Sequence, residues 1–238
     1  MNDVATTPRE VVIAMSGVTS GSLRDPDAEV VREVNWSVAS GDFWVVAGLQ
    51  GTGKSDFMMM AAGLLPPSSG TLLLFGGESQ SFEETRLKLG LVFDGGHLFH
   101  TLPIAENVSL PLRYHCGMTP EEISERTDRL LELTGLTPWA DSTPGTLGRN
   151  WQKRAGLARA LAVQPELLLV DNPISDADPR HAEWWLKFLG ELSHGHDWMP
   201  KKRPTTLVIT ADDARPWRGI ARQFAVLRDG RLEVEGDS

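Results

Sequence analysis

A glycine-rich segment ending in lysine and serine carries the strongest chemical signal in the sequence. Residues 48–55 match the pattern GxxxxGK[ST] in full. In this pattern the glycines let backbone N–H groups turn toward nucleotide phosphates, the lysine reaches the β- and γ-phosphates, and the serine ligates Mg²⁺. The sequence therefore predicts a cradle for ATP and Mg²⁺ formed by Gly48, Leu49, Gln50, Gly51, Thr52, Gly53, Lys54, Ser55 and the adjoining Asp56. The alternative is a glycine-rich turn without a ligand, which the apolar strand pattern before it and the helical pattern after it disfavour.

A carboxylate at a strand end is the second signal. Asp171 directly follows the apolar run 167–170. Beside a phosphate loop, a carboxylate at the C-terminal edge of a strand can hold the water shell of Mg²⁺. Alone, Asp171 would be an ordinary strand end. Because a phosphate loop and a helical insert precede it, we expect Ser55 and Asp171 to form a metal site together.

Short apolar runs rich in Val, Ile and Leu recur along the chain. The elements that they form must position the phosphate loop and Asp171. Continuous apolarity favours strands buried on both faces, as in a mostly parallel sheet. Residues 30–38 alternate more, which predicts an edge or antiparallel strand. Helical patterns separate several runs, as expected of βαβ units. The runs are residues 11–15, 43–47, 71–75, 87–93, 167–170, 206–209 and 224–227.

Between residues 93 and 165 helical patterns replace the strand pattern. Thr119 is suited to the N-cap of a helix, with Pro120 at its first position, Glu122 completing a capping box and Gly135 ending it. A second helix is expected at residues 148–163. The fold class predicted is thus α/β, a P-loop NTPase core with a mostly parallel sheet, an antiparallel β edge and an inserted α-helical subdomain. The expected boundaries are 1–93 and 166–238 for the ATP-binding core and 94–165 for the helical subdomain.

Composition excludes several function classes. The chain has 238 residues and a net charge of −9, and its basic run at 201–203 is short, which argues against a nucleic-acid binder. No apolar stretch approaches the ~20 residues of a membrane span, and the polar start with Asn2 and Asp3 lacks the apolar part of a secretory signal. Cys116 is the only cysteine, so an internal disulfide is excluded. We expect a soluble protein of a reducing compartment that would reach a membrane by docking onto a partner.

From about residue 11 to residue 236 the chain resembles the ATP-binding domain of ABC transporters. Residues 66–71 resemble the turn after the first helix of that family, and residues 92–99 resemble its Q-loop. Residues 152–165 match the helix after its signature motif, and residues 228–230 match its closing hairpin. Ser175 and Asp178 fall in a segment that resembles the D-loop. The stretch 98–113 is most similar to the lipid-trafficking importers of the mammalian-cell-entry type.

Several positions depart from the residues that the family uses. The Q-loop glutamine is Asp94, the glutamate after Asp171 is Asn172, and the switch histidine is Ala211. An amide cannot accept a proton and alanine cannot hydrogen-bond a phosphate, so hydrolysis should be slow; losing such a group typically costs ~10²–10⁴ in rate. Asp56 sets a carboxylate near the α-phosphate and should weaken nucleotide affinity unless a cation offsets it. The LSGGQ signature aligns with Leu147, Gly148, Arg149, Asn150 and Trp151.

The resemblance implies the ATP-binding subunit of an ABC transporter, in which ATP-driven closure of two such domains moves a transmembrane permease. The implied partners are that permease and a second ATPase domain, in a homodimer or a heterodimer, without nucleic acid. The implied location is cytoplasmic, peripheral on the inner face of the membrane. One alternative is a non-catalytic structural or regulatory subunit. Another is a small-molecule P-loop kinase, which would leave the helix pattern at 152–161 unexplained. No aromatic residue stands clearly where the family stacks adenine.

Four smaller features have competing interpretations. Some apolar residues of 98–113, Leu98 and Phe99 among them, are expected to line an exposed groove for the permease. Arg149 is either a solvated residue at a helix start or a cation for a γ-phosphate. Residues 194–197 contain two histidines and an aspartate and are read as a loop rather than a metal site. The pair 184–185 and the methionines 58–60 are read as packing residues.

Overall fold

The computed structural model describes residues 9–22, 25, 28–78, 85 and 87–236, which form both strands and helices. The polar start with Asn2 and Asp3 lies outside these residues. In chain order the elements are β1 Val11–Ser20, β2 Val31–Ala39, β3 Phe43–Ala47, α1 Lys54–Ala61, β4 Ser69–Leu74, β5 Gly77–Glu78, β6 Leu89–Val92, α2 Ile104–His115, α3 Pro120–Thr134, α4 Arg149–Leu161, β7 Leu167–Val170, α5 Pro179–His194, β8 Thr206–Ala211, β9 Gln223–Arg228 and β10 Arg231–Val234.

A six-stranded sheet has the order β10-β9-β3-β8-β7-β6. Its inner pairs β9–β3, β3–β8, β8–β7 and β7–β6 are parallel, whereas β10 pairs antiparallel with β9. Strands β7 and β8 are buried along their whole length because helices and the second sheet cover both faces of the sheet. The α/β class and the mostly parallel sheet are confirmed.

A separate antiparallel sheet has the order β2-β1-β4-β5. The prediction of an antiparallel strand near residues 30–38 is confirmed by β2, in which exposed and buried residues largely alternate. The runs 11–15 and 71–75 belong to this sheet too, although their continuous apolarity suggested a parallel one. Strand β1 runs on to Ser20, because a register shift between Met15 and Val18, around Gly17 at φ 58°, lets Val18 re-enter the core.

The helices between β6 and β7 begin and end where local chemistry favours it. Thr119 accepts a hydrogen bond from the Glu122 amide and its own amide donates to the Glu122 carboxylate, so the predicted capping box at α3 is present. Gly135 ends α3 at φ 72°, a conformation that glycine adopts without strain. Helix α4 is slightly shorter than the expected 148–163, with Gly148 as its N-cap.

Two apolar clusters form the core. One fills the space between the six-stranded sheet and helices α2 to α5, and the other lies between the two sheets and α1. Trp185, Met58 and Met60 are fully buried, as their reading as packing residues predicted. Among the described residues, no helix combines the length and the apolarity needed to cross a membrane.

The segment 98–113 corrects one expectation. Leu98 is only 6% exposed, and Ile104, Val108 and Leu112 are completely buried in the first cluster. These three residues share one face of α2 at a spacing of four, so they pack inward against α3 and α4. The prediction that Leu98 lines an exposed groove is therefore wrong. Phe99, by contrast, is 58% exposed.

Candidate nucleotide-binding site

The predicted phosphate loop connects the C-terminal end of β3 to the first residue of α1. Gly51 and Gly53 have φ of 83° and 86°, which side chains rarely tolerate. At Gly53 an added Cβ would lie 2.3 Å from a methyl group of Val30, and at Gly48 it would lie 2.8 Å from the Leu227 carbonyl oxygen. The glycines are therefore required for this loop to form. The loop presents the N-terminus of α1, where free N–H groups favour an anion.

The Lys54 side chain lies inside the loop and is 7% exposed. Its ammonium donates to the carbonyl oxygens of Gly48, at 2.8 Å, and Leu49, at 2.9 Å. It also contacts the Asp212 carboxylate at 2.9 Å. An ammonium has three donors, and each of them has an acceptor here.

The two predicted metal ligands are in direct contact. The Ser55 hydroxyl donates to one carboxylate oxygen of Asp171 at 2.6 Å, and the Thr210 hydroxyl donates to the other at 2.6 Å. Asp171 follows β7 and is buried, so its orientation is fixed by these bonds. A hydroxyl and a carboxylate are oxygen donors of the kind Mg²⁺ prefers, so this pair fits the ion. Among the described residues, His, Cys, Asp and Glu form no metal-binding cluster of three or more.

Asn172 and Ala211 lie beside this pair. Asn172 has φ of 47°, a conformation that asparagine tolerates better than most residues. Its backbone N–H donates to the Thr210 hydroxyl at 2.9 Å, and its side-chain amide donates to Asp212 at 3.1 Å. Ala211 is buried, and its carbonyl accepts from the Gly48 amide at 3.0 Å. The side chain directed to this place from the end of β8 is therefore that of Asp212.

Asp212 was not identified from the sequence. Partial burial by itself would raise the pKa of this carboxyl, but hydrogen bonds from Lys54 and Asn172 and the charges of Lys54 and Lys153 lower it overall. Asp212 is therefore an anion at neutral pH. One signal could have identified Asp212. It is a carboxylate directly after a strand of the parallel sheet, and that strand neighbours the one that leads into the phosphate loop.

Asp94 is part of an ionic cluster. Its carboxylate contacts the Lys153 ammonium at 2.7 Å and the Arg149 guanidinium at 2.8 Å, and it accepts from the Ser175 hydroxyl at 3.3 Å. Lys153 is 1% exposed, and it also donates to the carbonyl oxygens of Asn172 and Ser175. A buried ammonium requires a counter-charge, which Asp94 supplies. Sequence reasoning missed Lys153, whose burial only the structure reveals.

The five residues predicted to align with the signature have different surroundings. Leu147 is buried in the core and Gly148 caps α4. Arg149 pairs with Asp94 and, at 3.7 Å, with Asp176, which neither earlier interpretation of Arg149 foresaw. The Asn150 amide donates to the carbonyl oxygen of Asp176, and Trp151 packs against other aromatic side chains and Arg154.

The two predicted D-loop residues, Ser175 and Asp178, have different partners. The Ser175 hydroxyl joins the ionic cluster through Lys153, at 2.6 Å. Asp178 instead caps α5, and its side chain accepts a hydrogen bond from the backbone N–H of His181 at 3.0 Å. Hydrogen bonds from the backbone and the side chain of His181 lower the pKa of Asp178. Ser175 therefore lies next to the candidate site, and Asp178 organises the start of a helix.

A cavity of about 590 Å³ brings most of these side chains together. Among the described residues, those that line this cavity include no aromatic side chain. The lining residues are Ser22, Val30, Gln50, Gly51, Gly53, Lys54, Ser55, Asp56, Asp94, Arg149, Asp171, Asn172, Ser175, Asp176 and Asp212. The predicted site residues outside this lining are Gly48, Leu49, Thr52, Leu147, Gly148, Asn150, Trp151, Asp178 and Ala211.

Comparison with known proteins agrees with this geometry. The family model "ABC transporter" matches residues 31–175. The methionine import ATP-binding protein MetN of Carboxydothermus hydrogenoformans is 32% identical over 213 residues, 87% of this chain and 61% of that protein. The sulfate/thiosulfate import ATP-binding protein CysA of Synechococcus elongatus is 32% identical over 213 residues, 87% of this chain and 58% of that protein. The chain thus spans less than two thirds of the length of these relatives.

Solved structures share the fold. A dimeric bacterial ABC transporter cassette, MJ0796, superposes with a TM-score of 0.80 at 25% identity, covering 94% of this chain and all of that one. A post-hydrolysis dimer of the same cassette with ADP and Pi gives a TM-score of 0.81 at 24% identity, with the same coverage. The names of the relatives refer to methionine, sulfate and thiosulfate import. They do not support the expected similarity to lipid-trafficking importers.

Proposed function

The chain belongs to the ABC transporter family, as an ATP-binding domain, and from this premise we propose that it is the ATP-binding subunit of an importer. Closure of two such domains around ATP would move a membrane permease, and the chain would lie at the inner face of the membrane through that permease. The contact of Ser55 with Asp171 beside the Lys54 loop is the observation that carries the proposal. The import direction rests on the names of the relatives.

Each side chain of the loop has a defined task in this proposal. The N–H groups of the loop and the N-terminus of α1 bind the β- and γ-phosphates, and Lys54 neutralises part of their charge. Ser55 and Asp171 would hold Mg²⁺, which supplies further neutralisation of the phosphates when it is bound. Thr210 keeps the Asp171 carboxylate oriented by a 2.6 Å hydrogen bond.

We further propose that hydrolysis by the chain alone is slow. Asn172 lies where the family has its catalytic glutamate, and an amide cannot accept a proton from water. Ala211 is buried and has no group that could hydrogen-bond a γ-phosphate. Because such groups act as one unit, losing both should cost about as much as losing the more important one, roughly 10²–10⁴ in rate.

The position of Arg149 affects which ATP sites a dimer of such domains could form. In the family each ATP lies between the phosphate loop of one subunit and the signature of the other. Arg149 already contacts Asp94 and Asp176 of its own chain. A homodimer would combine the altered loop and the altered signature in both sites. In a heterodimer with an intact partner, the site that uses the partner's loop would be the less altered one.

The exposed Phe99 supports docking to a permease. Its ring is 58% exposed, while its backbone is fixed because the buried Asn107 side chain bonds both its N–H and its carbonyl oxygen, at 2.8 and 3.0 Å. An exposed aromatic side chain on a fixed stretch of backbone is suited to a hydrophobic partner. Asp94 precedes it by a few residues, so the same segment would connect nucleotide and permease.

A non-catalytic structural or regulatory subunit is the second candidate. Asn172 in place of the glutamate and the saturated donors of Lys54 favour it. This subunit would bind ATP without turning it over, or not bind it at all. The two candidates differ in whether ATP is consumed when the permease is present.

Equilibrium binding of Mg-ATP tests the first part of the proposal. Lys54→Ala should weaken binding by at least about tenfold, because a charge-assisted contact to phosphate is lost. Lys187→Ala is a matched control, since Lys187 is exposed and pairs only weakly with Glu191 at 4.0 Å. Equal affinity of the Lys54 variant and the wild type would show that nucleotide does not bind in this loop.

A further inference from the structure

The contact between Lys54 and Asp212 is a feature that phosphate binding cannot leave unchanged. The ammonium of Lys54 uses one donor for each of two backbone carbonyls and the third for the Asp212 carboxylate, at 2.9 Å. A phosphate oxygen that is to be bound by Lys54 must therefore replace one of these acceptors.

The backbone carbonyls are held in place. Gly48 is fixed through its amide, which donates to the Ala211 carbonyl oxygen at 3.0 Å, and Leu49 through its carbonyl oxygen, which accepts from the Thr52 hydroxyl at 2.8 Å. The Asp212 side chain is 50% exposed and ends in rotatable bonds. Of the three acceptors, Asp212 is the one that can rotate into solvent without changing the loop.

Asp212 is also held from its other side. Its second carboxylate oxygen accepts from the Asn172 amide at 3.1 Å, so the carboxylate bridges the phosphate loop and the end of β7. A glutamate at 172 could not donate this bond. The amide, which removes the proton acceptor of the family, thus stabilises a carboxylate at the lysine.

We propose that Asp212 is an internal substitute for phosphate, which occupies Lys54 in the nucleotide-free protein and lowers the affinity for ATP because the nucleotide must displace it. This proposal rests on the proposed ATP-binding function and adds the residue that sets its affinity. Carboxylates already outnumber cations in the cavity lining, with Asp56, Asp94, Asp171, Asp176 and Asp212 facing Lys54 and Arg149. Displaced from Lys54, Asp212 would still repel the triphosphate, and this repulsion is screened by salt.

Titration with a fluorescent ATP analogue in excess Mg²⁺ tests the proposal. Asp212→Asn has the same shape without the charge, and it should bind the analogue about tenfold more tightly than the wild type, since a charged hydrogen bond to Lys54 no longer competes. Asp213→Asn removes the same charge one residue later, where the carboxylate pairs with Arg215 and does not line the cavity. This control should change the affinity less than about twofold. Equal or weaker binding by Asp212→Asn would overturn the proposal.

A double variant separates competition from simple charge removal. In a Lys54→Ala background the effect of Asp212→Asn should fall from about tenfold to below about threefold, because only long-range repulsion remains. An unchanged tenfold effect without Lys54 would show that Asp212 acts through general repulsion and would refute the exchange of anions at the lysine.

A stability cycle distinguishes failure of this proposal from failure of ATP binding. Thermal unfolding of the nucleotide-free wild type, both single variants and the double variant measures the coupling of Lys54 and Asp212 directly. We expect the double variant to lose less than the sum of the single losses. Additive losses would mean that the contact is absent in solution, and the proposal would fail. If coupling is found but no variant binds nucleotide, the ATP-binding function fails and Asp212 cannot set an affinity for ATP.

Discussion

Asp94→Asn should destabilise the nucleotide-free protein, because Asp94 supplies the counter-charge of a buried lysine. The substitution keeps the shape and an acceptor oxygen but removes the charge that faces Lys153 at 2.7 Å. Lys153 is 1% exposed, so its ammonium would remain in the interior without a counter-charge. On this reasoning Asp94, the buried Lys153 and Arg149 form one coupled set of charges.

The loss of folding free energy expected for Asp94→Asn lies between two limits. Removing one partner of a fully buried pair costs about 3–5 kcal/mol, and removing one partner of an exposed pair costs about 0–1 kcal/mol. Asp94 is 29% exposed, and Lys153 keeps hydrogen bonds to the Asn172 and Ser175 carbonyl oxygens. We therefore expect a loss of about 2 kcal/mol, which corresponds to a Tm lower by roughly 4–8 °C in a domain of this size.

Urea unfolding followed by circular dichroism measures this loss. Asp176→Asn is the matched control, because the Asp176 side chain is 76% exposed and its carboxylate pairs with Arg149 at 3.7 Å. It should cost less than about 0.5 kcal/mol. If Asp94→Asn costs no more than this control, Lys153 does not depend on Asp94. Asp94→Gln should also destabilise the protein, and a gain of stability on that substitution would contradict the coupling of these charges.

Four further substitutions have outcomes that follow from burial, backbone geometry and charge. Phe99→Glu should leave the fold intact and abolish co-purification with the permease, whereas Leu98→Glu should unfold the domain because Leu98 is 6% exposed; circular dichroism and pull-down assays check both. Gly53→Ala should weaken ATP binding by at least about tenfold in a titration, because its Cβ would meet a valine methyl at 2.3 Å and φ is +86°. Asn172→Glu should raise ATP turnover less than about tenfold, because the new carboxylate would face Asp212, which now accepts a bond from Asn172; a rescue of about a hundredfold would contradict this.

The sequence was informative where local chemistry decides the structure. The capping box at Thr119, the ending of α3 at Gly135 and the glycine pattern before Lys54 each depend on neighbouring residues, so their spacing predicted them. The parallel strands were recognisable as short apolar runs because both of their faces are buried. The runs at 11–15 and 71–75 were ambiguous, since a covered antiparallel sheet has the same pattern.

The contacts between distant residues could not be predicted in this way. Arg149 and Asp94 are 55 residues apart, and Lys54 and Asp212 meet only because β3 and β8 are neighbours in the sheet. The exposure of Phe99 and the burial of Leu98 depend on how α2 packs. Such features need the tertiary structure, because a pattern of residue types does not say which charges will meet.

We propose that the chain binds Mg-ATP in the loop at 48–55 and hydrolyses it slowly. Incubating the purified chain with radiolabelled ATP and Mg²⁺, and measuring bound ATP and released ADP over time, tests both parts in one sample. Lys54→Ala, prepared identically, controls for contaminating ATPases. We predict bound ATP and a turnover number about 10²–10⁴ below the ~10 s⁻¹ typical of enzymes. Turnover near ~10 s⁻¹ that disappears in the Lys54 variant, or the absence of bound ATP, would contradict the account.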